Sequence, residues 1–258
     1  MAYSLDLLCA KLTNLGYQPG FLTAPERADL SALPGRTLKD TIWGADPGFG
    51  RVAYGLVTSG PEGDIASIRG TQVPVNPDGS KNWMEWLRNF EALLVDCPFM
   101  QGTKVHDGNS KDYLALTDED GTPVGRALAG CSSLTTTGHS KGGPLSIYLA
   151  SEVGRIGGTQ PACIAFAPCK PGDKWFGRAA VQYTRGIRLW ANPKDLVPHT
   201  PLTITDLPPP FINEDYEFPT QLCPLKPSPS VPSAKDFSDE HSLSGWYIPA
   251  LEALGGAT

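Results

Sequence analysis

The sequence has no apolar run of about 18 residues, so no transmembrane helix is expected. It has no basic residue ahead of the short apolar run Leu5 to Ala10, and Asp6 interrupts that run. No secretory signal is therefore expected, and the chain reads as cytoplasmic or as written without its leader. Basic residues are outnumbered, 21 against 27 acidic, for a net charge of −6. That excludes the basic stripe a nucleic-acid partner needs and the polybasic attraction to anionic lipid. There is no C-x-x-C and no tight Cys/His cluster among the six cysteines, Cys9, Cys97, Cys131, Cys163, Cys169 and Cys223. A structural zinc site is thereby excluded, and the cysteines are expected as buried or free thiols with at most one or two disulfides. Histidine is also scarce: the chain has four.

What is present is globular. Hydrophobic residues make 40% and charged residues 19% of 258, enough to bury one substantial core. A single domain over residues 1–258 is the expectation. Glycine (28) and proline (25) are abundant, so turns and long loops are expected. Eight of the prolines fall between Leu207 and Pro232. That stretch cannot be helical and offers few strand donors; it reads as an ordered excursion over the surface.

Short apolar runs at Arg51 to Val57, Asp64 to Ile68, Ser133 to Thr137, Cys163 to Ala167 and Gly186 to Ala191 read as buried strands. Between them lie helical patterns at Ser4 to Leu15, Asn82 to Val95 and Pro144 to Val153. In the second, Trp83, Trp86, Leu87, Phe90 and Leu94 share one face. Strands alternating with helices predict an α/β fold, a mostly parallel sheet with helices on its faces. Gly44, Gly48 and Gly50 read as turn glycines, and Asp118 to Gly121 as a solvated turn that lacks the rest of a calcium loop.

Gly138-His139-Ser140-Lys141-Gly142 has the G-x-S-x-G pattern between a strand and a helix. A sharp turn there thrusts the serine into the open at a helix N-terminus, where free N–H groups favour an oxyanion. The string is not a P-loop, and Gly143 stands where an S-x-x-K motif needs lysine. The N–H of Lys141 is a natural oxyanion donor; its side chain, placed against the helix dipole, is expected to run out to solvent. A serine nucleophile needs a base and an orienting acid. The order Ser, Asp, His used by open α/β sheets disfavours His106 and His139. Asp195 follows the strand ending at Ala191, where sites of such sheets gather. His199 is too close to Asp195 to occupy a separate loop, which leaves His241 as base. Asp173 and Asp206 are reserve acids.

Together these segments make the chain similar to the fungal-type or class 3 lipases of the α/β-hydrolase superfamily. Ile68-Arg69-Gly70-Thr71 resembles R-G-[ST], Val105-His106-Asp107-Gly108 resembles V-H-x-G, Thr137 to Gly143 resembles T-G-H-S-L-G-G, and Asn192 to Pro198 resembles N-x-x-D-x-V-P. The resemblance implies Ser140 as nucleophile, Asp195 as acid, His241 as base, and the N–H groups of Thr71 and Lys141 as the oxyanion hole. It implies an α/β-hydrolase fold, an apolar ester or lipid substrate met at a lipid–water interface, and no metal or organic cofactor; an esterase for polar or aromatic esters, of phospholipase or feruloyl type, and a catalytically silent lipid-binding scaffold are the alternatives. It also implies a lid within residues 72–98, carried by Trp83, Trp86, Leu87 and Phe90. Lys141 departs from the family's leucine, and Asn109-Ser110 from its bulky residues.

Overall fold

A computed structural model of the chain describes residues 4–46, 50–71, 93–201, 216–227 and 237–255. Its centre is a seven-stranded sheet in the order β1 (Thr37–Asp46), β2 (Gly50–Ser59), β3 (Asp64–Ile68), β6 (Leu134–His139), β7 (Ala162–Phe166), β9 (Gly186–Ala191) and β11 (Leu222–Pro224). From β3 to β11 every neighbour pair is parallel; β1–β2 and β2–β3 are antiparallel. The mostly parallel α/β sheet read from the alternating pattern is what the chain forms. A smaller antiparallel sheet joins β10 (Tyr216–Glu217), β8 (Gly172–Asp173), β5 (Lys104–His106) and β4 (Leu94–Asp96).

The large sheet is buried on both faces. Successive residues of a strand point to opposite sides, and neighbours in β2, β3 and β7 accordingly enter different cores. Val57, Ala66 and Ala165 join the core beneath α2 (Asp107–Leu114), α3 (Val124–Ala127), α4 (Gly142–Gly157) and α5 (Lys174–Tyr183). Leu56, Ile65 and Phe166 join the core beneath α1 (Leu5–Leu15) and the C-terminal elements. Those elements are α6 (Phe237–His241), a π-helical turn at Leu243–Tyr247 and α7 (Ile248–Gly255).

α1 begins where Ser4 Oγ accepts the Leu7 N–H at 3.3 Å, satisfying one donor of the open first turn. α4 is buried on all sides from Leu145 to Ala150 and ends at Gly158 in the left-handed region, a glycine stop. The threonines of β6 are buried with their hydroxyls used: Thr136 Oγ1 donates to Ser146 O at 2.9 Å, and Thr137 meets Thr13 at 3.4 Å. A strand of polar residues can thus lie inside the sheet.

Three expectations are corrected. Leu94 and Val95, assigned to the helix from Asn82, lie in β4, where pairing with β5 overrides the helical spacing. Gly44 is not a turn glycine: it is buried within β1, and a Cβ there would lie 2.6 Å from the Tyr54 ring. The proline-rich excursion does contribute strand pairing, since Leu222–Pro224 adds to β9 as the outer strand, the edge position a proline tolerates. Asp118 does form a solvated turn, its Oδ1 accepting the Thr122 N–H at 2.7 Å. No helix among the described residues is long and apolar enough to cross a membrane.

Candidate active site

β6 runs out at His139, and Ser140 follows with φ +57. A left-handed non-glycine residue costs about 1–3 kcal/mol and persists only where its surroundings enforce it. Here they do. Ser140 N–H donates to Phe166 O at 3.0 Å, and Gly143 N–H donates back to Ser140 O at 2.9 Å. Strand and helix cross so tightly that a Cβ at Gly138 would sit 2.0 Å from Gly142 O, and one at Gly142 2.3 Å from Ile68 O. The motif's glycines are required by that crossing. Ser140 Oγ is buried and makes no hydrogen bond to any described residue.

Asp195 stands four residues beyond β9 and is fully buried. Its Oδ1 accepts the Val197 N–H at 3.0 Å. Its Oδ2 takes the His241 Nδ1–H at 2.8 Å and the Tyr247 O–H at 2.9 Å. Tyr247 oxygen in turn accepts the Asn192 N–H at 2.9 Å, while Asn192 Nδ2 donates to Glu240 O at 3.0 Å. The loop carrying Asp195 and the segment carrying His241 are thereby laced together. Tyr247 reaches Asp195 from the π-helical turn, a local widening of the helix found often at functional positions. Burial, and then the neighbouring Asp195 carboxylate, push the Tyr247 hydroxyl well above its ordinary pKa, so it stays a donor.

His139 is buried against His241, ring centroids 4.6 Å apart, and its Nε2 donates to His241 O at 2.9 Å. Burial, with His241 as the second cause, holds His139 well below the usual imidazole range; it is neutral. Its Nδ1 is 2.8 Å from the Tyr17 hydroxyl. That hydroxyl also accepts the Gly70 N–H at 2.7 Å. Gly70 lies directly against Ser140: a Cβ there would be 2.8 Å from Ser140 Cβ. Arg69, buried, donates from one guanidinium nitrogen to Gly70 O at 2.8 Å and from Nε to Ala53 O at 3.1 Å. Thr71 follows, half-buried.

Lys141 does not run out to solvent. Its ammonium pairs with the carboxylate of Asp112 on α2. His106 caps α2 by accepting the Asn109 N–H at 3.3 Å, and burial with the Lys141 charge pulls it down to about 4. Asn109 and Ser110 are buried with their side chains bonded, Asn109 Nδ2 across the fold to the Cys169 thiol and Ser110 locally to Asp107 O. All six cysteines are free thiols.

The fold thus brings Asp195 and His241 into direct contact beside the Ser140 elbow, with Gly70-Thr71 and Lys141 flanking it. Of the reserve acids, Asp173 caps α5 by accepting the Phe176 N–H at 2.7 Å, and Asp206 lies outside the described residues. His199 is exposed in the turn Val197–His199. Trp83, Trp86, Leu87 and Phe90 lie outside the described residues. Sequence reasoning missed Tyr17 and Tyr247, which sit in no motif and are recruited only by tertiary packing. Among the described residues no group of His, Cys, Asp and Glu could hold a metal ion.

The family described as lipase (class 3) matches residues 67–205, from the end of β3 through the elbow and the loop carrying Asp195. No curated protein matches the sequence. Solved structures do. The Rhizomucor miehei lipase propeptide complex superposes with a TM-score of 0.54 at 19% identity, over 77% of this chain and 62% of that one. A lipase from Rhizopus microsporus var. chinensis gives 0.54 at 15%, over 78% and 70%. A triacylglycerol lipase whose catalytic centre is described as a serine protease triad gives 0.53 at 21%, over 76% and 72%. At such identities the likeness is one of fold, that of the α/β-hydrolases, and the chain spans under two thirds of the first relative's length. With more than half of its residues matched by the family, and the motifs of that match gathered around one elbow, the chain belongs to the class 3 lipases.

Proposed function

We propose that the chain is a serine carboxylic-ester hydrolase, a lipase cleaving acylglycerols or other apolar acyl esters, working as a single domain. The observation that carries this reading is the buried Asp195–His241 bond beside a serine held at φ +57. Asp195 fixes the tautomer that keeps the proton on Nδ1 and leaves the Nε2 lone pair to act as base. His241 takes the Ser140 proton as Oγ attacks the ester carbonyl carbon. The carbonyl electron pair moves onto oxygen and is met by the N–H groups of Thr71 and Lys141. The tetrahedral species collapses, the alkoxide leaves, and His241 returns the proton to it. Water, deprotonated by His241, then releases the acid from the acyl-enzyme.

The solved relative described as a triacylglycerol lipase with a serine protease triad supports the substrate class. Another relative is described in terms of interfacial activation, which supports a lipid–water interface as the place of encounter. Six free thiols support a reducing compartment. The test is hydrolysis of p-nitrophenyl esters of increasing acyl length by wild type and Ser140→Ala. The variant should lose on the order of 10⁴-fold or more in kcat, together with fluorophosphonate labelling, and long acyl chains should be preferred. Equal turnover by both proteins would remove Ser140 from the nucleophile's role.

A further inference from the structure

We propose that Tyr17 and His139 are positioning residues: one hydrogen-bonded relay that holds the oxyanion loop and the base segment in a fixed mutual geometry. The inference rests on the hydrolase reading above. The relay is continuous. Gly70 N–H donates to Tyr17 oxygen at 2.7 Å, Tyr17 meets His139 Nδ1 at 2.8 Å, and His139 Nε2 meets His241 O at 2.9 Å.

Its polarity is dictated by the end groups. A backbone carbonyl only accepts, so His139 must carry its proton on Nε2. The ring is neutral, so Nδ1 has a lone pair and accepts. A backbone N–H only donates, so Tyr17 oxygen accepts from Gly70 and has one proton left, which goes to Nδ1. Every group is used once, and only one tautomer satisfies them all. Both imidazole and phenol are held in their neutral forms by burial, so this arrangement persists across the range in which an ester hydrolase works.

The relay acts on the right atoms. The Gly70 carbonyl and the Thr71 N–H belong to one planar peptide, and in a trans peptide they point in opposite directions. Arg69 pins that carbonyl at 2.8 Å, while Tyr17 pins the N–H on the other side of Gly70. With both flanks of Gly70 fixed, the Thr71 N–H has one direction. At the far end, the bond to His241 O holds the backbone from which the base projects, and the two rings lie against each other, centroids 4.6 Å apart and tilted by 33°. Donor, nucleophile and base are thus referenced to one another through Tyr17, a residue beyond α1 and far from the motifs in sequence.

The experiment compares wild type, Tyr17→Phe, His139→Gln and the double variant. Ester kinetics are read beside thermal midpoints and the affinity of an aliphatic trifluoromethyl ketone. That probe is attacked by Ser140 Oγ to form a hemiketal oxyanion, with the serine proton passing to His241. Tyr17→Phe should lower kcat by about 10- to 100-fold at nearly constant KM, the size of effect small misplacements produce. Inhibitor affinity should fall by the same factor, since both report the oxyanion. His139→Gln keeps a donor for His241 O but carries its acceptor oxygen on the terminal amide, off the Nδ1 position that faces Tyr17. Adding it to Tyr17→Phe should cost less than twofold more, because both cut one link. Multiplied losses, a change confined to KM, or unchanged kcat and inhibitor affinity would overturn the relay. If Tyr17→Phe does not fold, His139→Gln alone carries the same kcat and inhibitor test. A wild type that neither turns over esters nor binds the ketone overturns the hydrolase reading and the relay with it. An active wild type with indifferent variants overturns the relay alone.

Discussion

Tyr247 shows how one side chain serves two neighbours. Its oxygen donates to Asp195 and accepts from the buried Asn192 N–H. Tyr247→Phe leaves that N–H without an acceptor and should destabilise the fold by about 1–3 kcal/mol, read from denaturant unfolding, with a fall in kcat as Asp195 loses a tether. Two buried histidines give the molecule a pH signature. The folded protein keeps His106 neutral down to about 4 and holds His139, by burial, well below the usual imidazole range, whereas the unfolded chain protonates both near about 6.5. Below that pH the unfolded state binds more protons, so stability falls as pH falls. The slope is about 1.4 kcal/mol per pH unit for each histidine. His106→Asn, which retains a capping oxygen for α2, should remove one histidine's share between pH of about 6.5 and about 4. Measuring unfolding free energy across that window checks it; an unaltered slope would refute the assignment. Ser140 and Asp195 were legible because they stand in short strings whose neighbours single them out, and His241 is reached by elimination among four histidines; the contact between Asp195 and His241 joins two of these segments. Tyr17 and Lys141's partner Asp112 were not legible, because their roles depend on contacts between distant segments.

The elbow is the element in which local rules agree most closely. Strand, sharp turn and helix follow from Thr137 to Gly143, and the two crossing glycines are fixed by backbone contact. Gly142→Ala would force its Cβ against Ile68 O at 2.3 Å. Backbone cannot swing aside as a side chain can, so a loss of about 3 kcal/mol, at the upper end of overpacking costs, is expected. A thermal midpoint within a degree or two of wild type would contradict this. By contrast β1 escaped the sequence reading, although it has ten residues. Its pairing with β2 shifts register twice, between Leu38 and Asp40 and between Ile42 and Trp43. Each irregularity breaks the period-two alternation by which a half-buried strand is recognised. β4 was hidden for another reason. Leu94 and Val95 continue a helical spacing, and only pairing with β5 gives them a strand conformation.

On the scale of the whole molecule, cohesion comes from two cores separated by one sheet, with no covalent crosslink among the six cysteines. Reductant should therefore leave the thermal midpoint unchanged. Six thiols should titrate in denaturant, while in the native state the half-buried Cys131 and Cys223 react well before the four buried ones. Fewer than six in denaturant would show a disulfide. Burial raises the buried thiols, Cys163 to about 11 and Cys169 to about 12, so they are poor nucleophiles at neutral pH. The sheet order was partly foreseeable, since parallel neighbours joined by helices leave few arrangements. The closing β11, drawn from a proline-rich stretch, was not. α1 and α7 share one core and are tied by Lys11 and Glu252 at 2.8 Å. The first and last described helices thus lie side by side. A short flexible bridge between the two helices would close the backbone into a ring, from which new ends could be cut at the exposed turn carrying Gly121. In such a circular permutant the order of the motifs along the gene would change, while their order in space, on which the meeting of the Ser140, Asp195 and His241 segments depends, would not.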